Sequence, residues 1–222
     1  MRWTFLGGEV REVMLLKRGA EAELYLDTRY GRKVVVKKRV RKGYRIRELD
    51  EEIRSYRTSH EAVMMHKAKE CGVPTPVIFL VDLVDKSIVM EYVGDVRLKD
   101  VLDSLPEEER RRILVEVGRM IGAMHSNGLI HGDLTTSNII LDEGRIYFID
   151  FGLSEVSEEL EKRGVDLHLM RRALESTHHL RSDEYFREVL LGYSEVVGEQ
   201  ETKRVLSKIE EIAKRGRYVS ER

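Results

Sequence analysis

Between residues 131 and 152 the chain gathers side chains suited to handling phosphate and a hard metal ion. The run is His131-Gly132-Asp133-Leu134-Thr135-Thr136-Ser137-Asn138, with Asp150-Phe151-Gly152 beginning twelve residues after the asparagine. Phosphoryl transfer asks for little covalent chemistry from a protein. It asks that a metal be held against the phosphate oxygens, that the nucleophile be oriented, and that developing charge be neutralised. Asp133 is placed to receive or orient an attacking hydroxyl or water, and Asn138 and Asp150 to hold the metal. A short hairpin between the last two would set their separation. A lone His-x-Asp would be read as an ordinary turn, but the combined spacing argues against that. Asn occurs only at 127 and 138 and Gln only at 200, so a chain that avoids amides keeps one here.

Upstream, Val34-Val35-Val36 leads an apolar strand into Lys37. A strand lysine turned inward is costly unless paired, and Glu61, midway along a helical stretch, is the natural partner. The pair would set Lys37 against the α- and β-phosphates of a nucleotide. Alternation from Val35 favours Lys37 over Lys38. Taken alone, these two residues would read as a surface lysine and a solvated glutamate; the downstream motif favours the ion pair. Seven of the eleven residues from Lys37 to Arg47 are basic, with Tyr44 among them. Such a run can grip tRNA phosphates or form a solvated loop. Asp166 reads equally as an acid at a helix start or as an acceptor for the catalytic-loop backbone. His131 is expected to pack under that loop and not to act as a base. His168, His178 and His179 lack the cysteines or spaced carboxylates of a metal site, and Cys71 is expected to be structural.

These groups need elements to position them. Alternating segments at Val10–Lys17, Glu21–Tyr30 and Arg32–Lys38, punctuated by Gly19 and Gly31, predict a small antiparallel sheet. A helix over Leu49–Cys71, with apolar residues at Leu49, Ile53, Tyr56, Val63 and Ala68, stops at Gly72 before Pro74 and Pro76. Strands at Val77–Leu83 and Ser87–Val93 follow. Beyond Gly94 the spacing predicts helices over Val96–Ser104 and Pro106–Ser126, a hairpin of Ile139–Leu141 with Arg145–Ile149, and helices near Val165–His178, Asp183–Val197 and Gln200–Lys214. The expected fold is α+β and bilobal. Residues 1–93 make an N-lobe of sheet plus helix, and residues 94–222 a reduced helical C-lobe, together one kinase-like domain.

Composition narrows the classes. The chain has 222 residues, ample for a hydrophobic core, and a formal net charge of −1 with 36% charged residues. Net charge therefore argues neither for nor against nucleic acid. A single cysteine excludes an internal disulfide and fits a reducing compartment. No apolar run approaches a membrane span and the first residues lack a secretory h-region, so a soluble, cytoplasmic protein with no membrane partner is expected. The abundance of Glu, Lys and Arg over thermolabile amides resembles thermophile composition.

The motif at 131–152 resembles the protein-kinase pattern H-R-D-x-x-x-x-N followed by D-F-G, and Val34-Val35-Val36-Lys37 resembles V-A-I-K. By that resemblance Met90-Glu91-Tyr92-Val93-Gly94 binds adenine, through the Glu91 carbonyl and the Val93 amide. Departures are equally informative. Gly19, Ala20, Glu21 and Ala22 stand where a glycine-rich phosphate loop is usual, Gly132 and Thr135 replace the common Arg and Lys, and no A-P-E segment follows. Phosphate chemistry is retained while the peptide platform is reduced. Those stretches, with Lys37 through Asp50, Arg57-Thr58-Ser59-His60-Glu61, Val165-Asp166-Leu167 and Glu175-Ser176-Thr177-His178, resemble the small kinase/ATPase subunits of the KEOPS (EKC) complex over essentially the whole chain, most closely their stand-alone archaeal form. The resemblance implies an atypical serine/threonine kinase and ATPase using ATP with Mg2+, or with Mn2+ as an alternative. It implies a role in threonylcarbamoyl modification of tRNA, and as partners a threonylcarbamoyl-transferase subunit, a small regulatory subunit and tRNA. The tail from Lys214 to Tyr218 resembles the family's basic tail, which contacts nucleotide or tRNA. A non-catalytic ATP-binding scaffold and a small-molecule phosphotransferase, which shares H-G-D-x-x-x-x-N, are the alternative readings.

Overall fold

In the computed structural model the backbone is described for residues 2–6, 9–29 and 31–220, and side chains for 13–29 and 31–215. The basic tail beyond Arg215 thus lies outside the described side chains. The chain divides into two compact units, residues 1–63 with 76–93, and residues 64–75 with 94–222.

The first unit is built on a six-stranded antiparallel sheet of order β1-β2-β3-β4-β6-β5. Its strands are β1 (Arg2–Leu6), β2 (Glu9–Arg18), β3 (Ala22–Arg29), β4 (Arg32–Arg39), β5 (Ile78–Asp82) and β6 (Ser87–Glu91). The first strand, paired with β2 from Arg2↔Val13 to Leu6↔Glu9, is one that periodicity does not reveal. Strand β4 is central. Lys37 pairs with Leu24 on β3 and Ile88 on β6, so Lys37 and Arg39, two residues apart, project from one face.

Helix α1 (Arg47–Glu70) opens in the first unit and belongs to the second from Met64 on. Its buried stripe shares only Ala68 with the apolar set that signals it in the sequence. Leu49, Tyr56 and Val63 are about half exposed or more, whereas Asp50, Thr58, Glu61, Met64, Met65 and Ala68 are buried. The inner face is polar over its first half because cations of the sheet and the following loop meet it there. Asp50 takes Arg54 Nε at 2.7 Å and the Lys42 amide at 3.1 Å.

The second unit packs α2 (Leu98–Val101), α3 (Glu107–Ser126), α4 (Leu160–Thr177), α5 (Ser182–Val197) and α6 (Glu199–Ser220) with two small two-stranded sheets. These pair β7 (Leu129–Ile130) with β10 (Glu155–Val156), and β8 (Ile139–Asp142) with β9 (Arg145–Phe148). Leu134, Phe148, Phe151, Leu167, Met170 and Tyr193 are fully buried in its core. Helix α3 opens on three glutamates, which suit the positive end of the helix dipole. Helix α4 starts five residues before the expected Val165, because Gly164 is not a break: a β-carbon there would stand 2.8 Å from Lys208 Cγ on α6. Helix α6 likewise runs through Gly216. Among the described residues no helix is long and apolar enough to cross a membrane.

Candidate active site

In the first unit, Lys37 Nζ lies 2.5 Å from Glu61 Oε1. Glu61 is 1% exposed and the lysine side chain 12%, so this is a desolvated pair; removing one partner from such a pair typically costs about 3–5 kcal/mol. Sequence reading missed the third member: Arg39 Nη2 reaches Glu61 Oε2 at 2.6 Å. The only signal for it was its i+2 position after Lys37. In the loop of Gly19, Ala20, Glu21 and Ala22, Gly19 N donates to Ala22 O at 2.9 Å and Val40 N to Glu21 O at 3.0 Å. Glu21 pairs with Arg57, and Lys42 Nζ donates to Ala20 O. The hydrogen bond from Arg57 holds the Glu21 carboxyl below its usual range, against partial burial. Where a glycine-rich loop would be free, this one is tied to α1 and to the segment after β4. The basic run of 37–47 is consequently engaged with acids: Lys38 with Asp85, Arg45 with Asp50 and Arg47 with Glu51. Glu91 ends β6, its amide bonded to Val77 O at 2.8 Å, and Val93 follows with its side chain buried.

In the second unit the loop that carries Asp133 is held from three sides. Asp166, fully buried inside α4, accepts the His131 amide at 2.6 Å and the Gly132 amide at 2.8 Å. Burial alone would raise its pKa, but hydrogen bonding from His125 and the loop amides keeps it below the ordinary aspartate value. His125 Nε2 stands 3.3 Å from Asp166 Oδ2, and its Nδ1 3.1 Å from Tyr193 Oη. Ser154 Oγ donates to His131 O at 2.7 Å. His131 itself is fully buried. Its Nδ1 faces the Asp133 amide at 3.3 Å and its Nε2 the Ile149 carbonyl at 3.2 Å. That pattern requires a neutral ring with the proton on Nε2, and burial pushes its pKa down accordingly. One imidazole thus ties the residue before Asp150 to Asp133.

Asn138 Nδ2 donates to Asp133 O and to Asp133 Oδ2, each at 2.8 Å. The amide therefore turns its NH2 to Asp133, and its carbonyl oxygen is the atom that could hold a cation. Asn138 O also accepts the Ile149 amide at 3.0 Å, and Ile139 pairs with Phe148, so the hairpin brings the asparagine beside the segment entering Asp150. Asp150 adopts φ +65°, a left-handed conformation that a non-glycine residue keeps only where its surroundings impose it. A carbonyl and a carboxylate are hard oxygen donors fitting Mg2+ or Mn2+. His178 is paired with Asp103 at 2.7 Å.

Residues 25–163 match the RIO domain family. The chain is 50% identical over 210 residues to the KEOPS complex subunit Bud32 of Pyrococcus abyssi, covering 92% of this chain and 96% of that protein. It is 43% identical over 204 residues to a probable bifunctional tRNA threonylcarbamoyladenosine biosynthesis protein of Methanothermobacter thermautotrophicus, of which it spans 36%. Two solved structures share the fold. WaaP in complex with acyl carrier protein has a TM-score of 0.63 at 17% identity, covering 92% of this chain and 89% of that one. The Rio2 kinase–ADP/Mg2+–phosphoaspartate complex from Chaetomium thermophilum has a TM-score of 0.59 at 18% identity, covering 90% and 69%. The α+β kinase-like fold expected from the motifs is the fold these structures share, and the chain belongs to the RIO-domain family, on the branch of the KEOPS subunit Bud32.

Proposed function

We propose that this chain is an ATP-dependent phosphotransferase and ATPase that supports threonylcarbamoyladenosine modification of tRNA as a subunit of a KEOPS-type complex in the cytoplasm. The observation that carries the chemistry is the double hydrogen bond from Asn138 to Asp133, which orients the carboxylate and supports a cation at the asparagine oxygen. Asp133 accepts the proton of, or orients, the attacking hydroxyl or water. Asn138 and Asp150 would hold Mg2+, which supplies neutralisation of charge on the phosphate oxygens. Lys37, fixed by Glu61, binds the α- and β-phosphates, while the 19–22 loop, the Glu91 carbonyl and the Val93 amide complete nucleotide binding. The names of the Pyrococcus and Methanothermobacter relatives support the tRNA role. The reduced peptide platform favours a transferase subunit, a small regulatory subunit and tRNA over general peptide substrates.

The test follows the γ-phosphate of labelled ATP with Mg2+, using wild type, Asp133→Ala and Asp150→Ala, alone and with the partner transferase and tRNA. Free phosphate should rise with the partners and fall at least about a hundredfold in either variant. Label retained on serines would make protein phosphorylation the main activity. Nucleotide binding without turnover under every condition would leave only a scaffold.

A further inference from the structure

Glu61 divides its carboxylate between two cations. Oε1 takes Lys37 Nζ at 2.5 Å and Oε2 takes Arg39 Nη2 at 2.6 Å. Arg39 is buried like its partner, at 6% exposure against 1%. The same Nη2 donates to the Arg57 carbonyl on α1 at 3.1 Å, and Nη1 lies 3.9 Å from Glu21 Oε2. Glu21 also pairs with Arg57. Arg39 therefore touches the loop, the helix and the carboxylate that holds Lys37.

We infer that Arg39 is a positioning residue for Lys37: by occupying the second oxygen of Glu61 and gripping the α1 backbone, it fixes where the lysine's charge stands. The inference rests on the reading of Lys37 as the phosphate ligand. Its physical basis is the inventory of donors and acceptors. Without Arg39 both oxygens of Glu61 could turn to Lys37 and draw the ammonium away from a nucleotide. With Arg39 in place, Glu61 gives one oxygen to Lys37 and the other to Arg39. Arginine is suited to this because its guanidinium stays charged and its fork meets carboxylate and carbonyl together; a lysine at 39 would keep the charge but not the fork.

The test compares the affinity of Mg-ATP and of adenosine by titration calorimetry for wild type, Arg39→Lys, Lys37→Met and the double variant, with thermal melts to show each is folded. Arg39→Lys should weaken ATP about tenfold, the effect of one lost hydrogen bond to a charged group, and leave adenosine unchanged. In the Lys37→Met background the same change should cost nothing further. A merely structural Arg39 would weaken ATP and adenosine together or act additively with Lys37→Met, and either result, or unchanged ATP affinity, overturns the inference. Lys37→Met without a selective loss of ATP would overturn instead the phosphate-ligand reading beneath it. Should Arg39→Lys not fold, Arg39→Met, which leaves a neutral Lys37–Glu61 pair, takes its place with the same expectations.

Discussion

Gly132 occupies the place where many kinases carry an arginine, and the backbone explains the glycine. Its φ is +79°, and a β-carbon would fall 2.1 Å from the Leu153 carbonyl oxygen, so no side chain fits without moving the segment after Asp150. The neighbouring His131 carries a pH prediction. Burial depresses its pKa, so the folded state holds it neutral while the unfolded chain takes up a proton below about pH 6.5. The stabilisation is fully present above that pH and is lost as pH falls through it. Protonation would also cost the hydrogen bond from the Asp133 amide to Nδ1. Thermal melts from pH 7 to pH 5 should show a falling Tm in wild type and a shallower fall in His131→Gln. Parallel profiles would mean that other groups carry the pH dependence.

Among the elements, the contact of α3 with α5 turns on two glycines that strand and helix periodicities cannot single out. A β-carbon on Gly118 would lie 1.9 Å from Val189 O, and one on Gly192 1.8 Å from Val115 O. Alanine in a helix normally gains about 1 kcal/mol over glycine. Here the clash is with backbone, so overpacking of about 1–3 kcal/mol or more wins. Gly192→Ala should lower Tm by several degrees, about 2–4 °C for each kcal/mol in a chain of this size. Gly43→Ala, with open space around it, should be close to neutral; equal effects at both positions would sink the argument. Element existence was legible because helix and strand periods are local. The buried face of α1 was not: its inner stripe contains Asp50, Thr58 and Glu61, which only a facing set of cations makes tolerable.

For the molecule as a whole, the proposed residues are divided over the two units. Lys37, Arg39 and Glu61 belong to the first, and Asp133, Asn138 and Asp150 to the second. A ligand that binds the folded chain and not the unfolded one should stabilise it by mass action. Mg-ATP at one hundred times its Kd should contribute about 2.7 kcal/mol, roughly 5–11 °C in Tm. In Asp150→Asn, ATP should stabilise about equally with and without Mg2+. A metal-dependent increment that survives the substitution would remove Asp150 from the metal site. Of the proposed site, Asp133, Asn138 and Asp150 were legible as candidates because a loop and a hairpin set their spacing over short stretches of chain, whereas Lys37 and Glu61, 24 residues apart, were legible as a pair only alongside that motif.

What the sequence by itself determined is the set of candidate site residues, the elements that bear them and, through the motif resemblance, the kinase-like family. The tertiary structure alone decided which groups hold them in place. Arg39 meets Glu61 across 22 residues and His125 meets Asp166 across 41, distances over which no periodicity operates. The same holds for the obligatory glycine at 132, imposed by a carbonyl 21 residues away. Local geometry follows from backbone periods a few residues long, whereas the partner of a buried charge is set by whichever distant element packing brings against it.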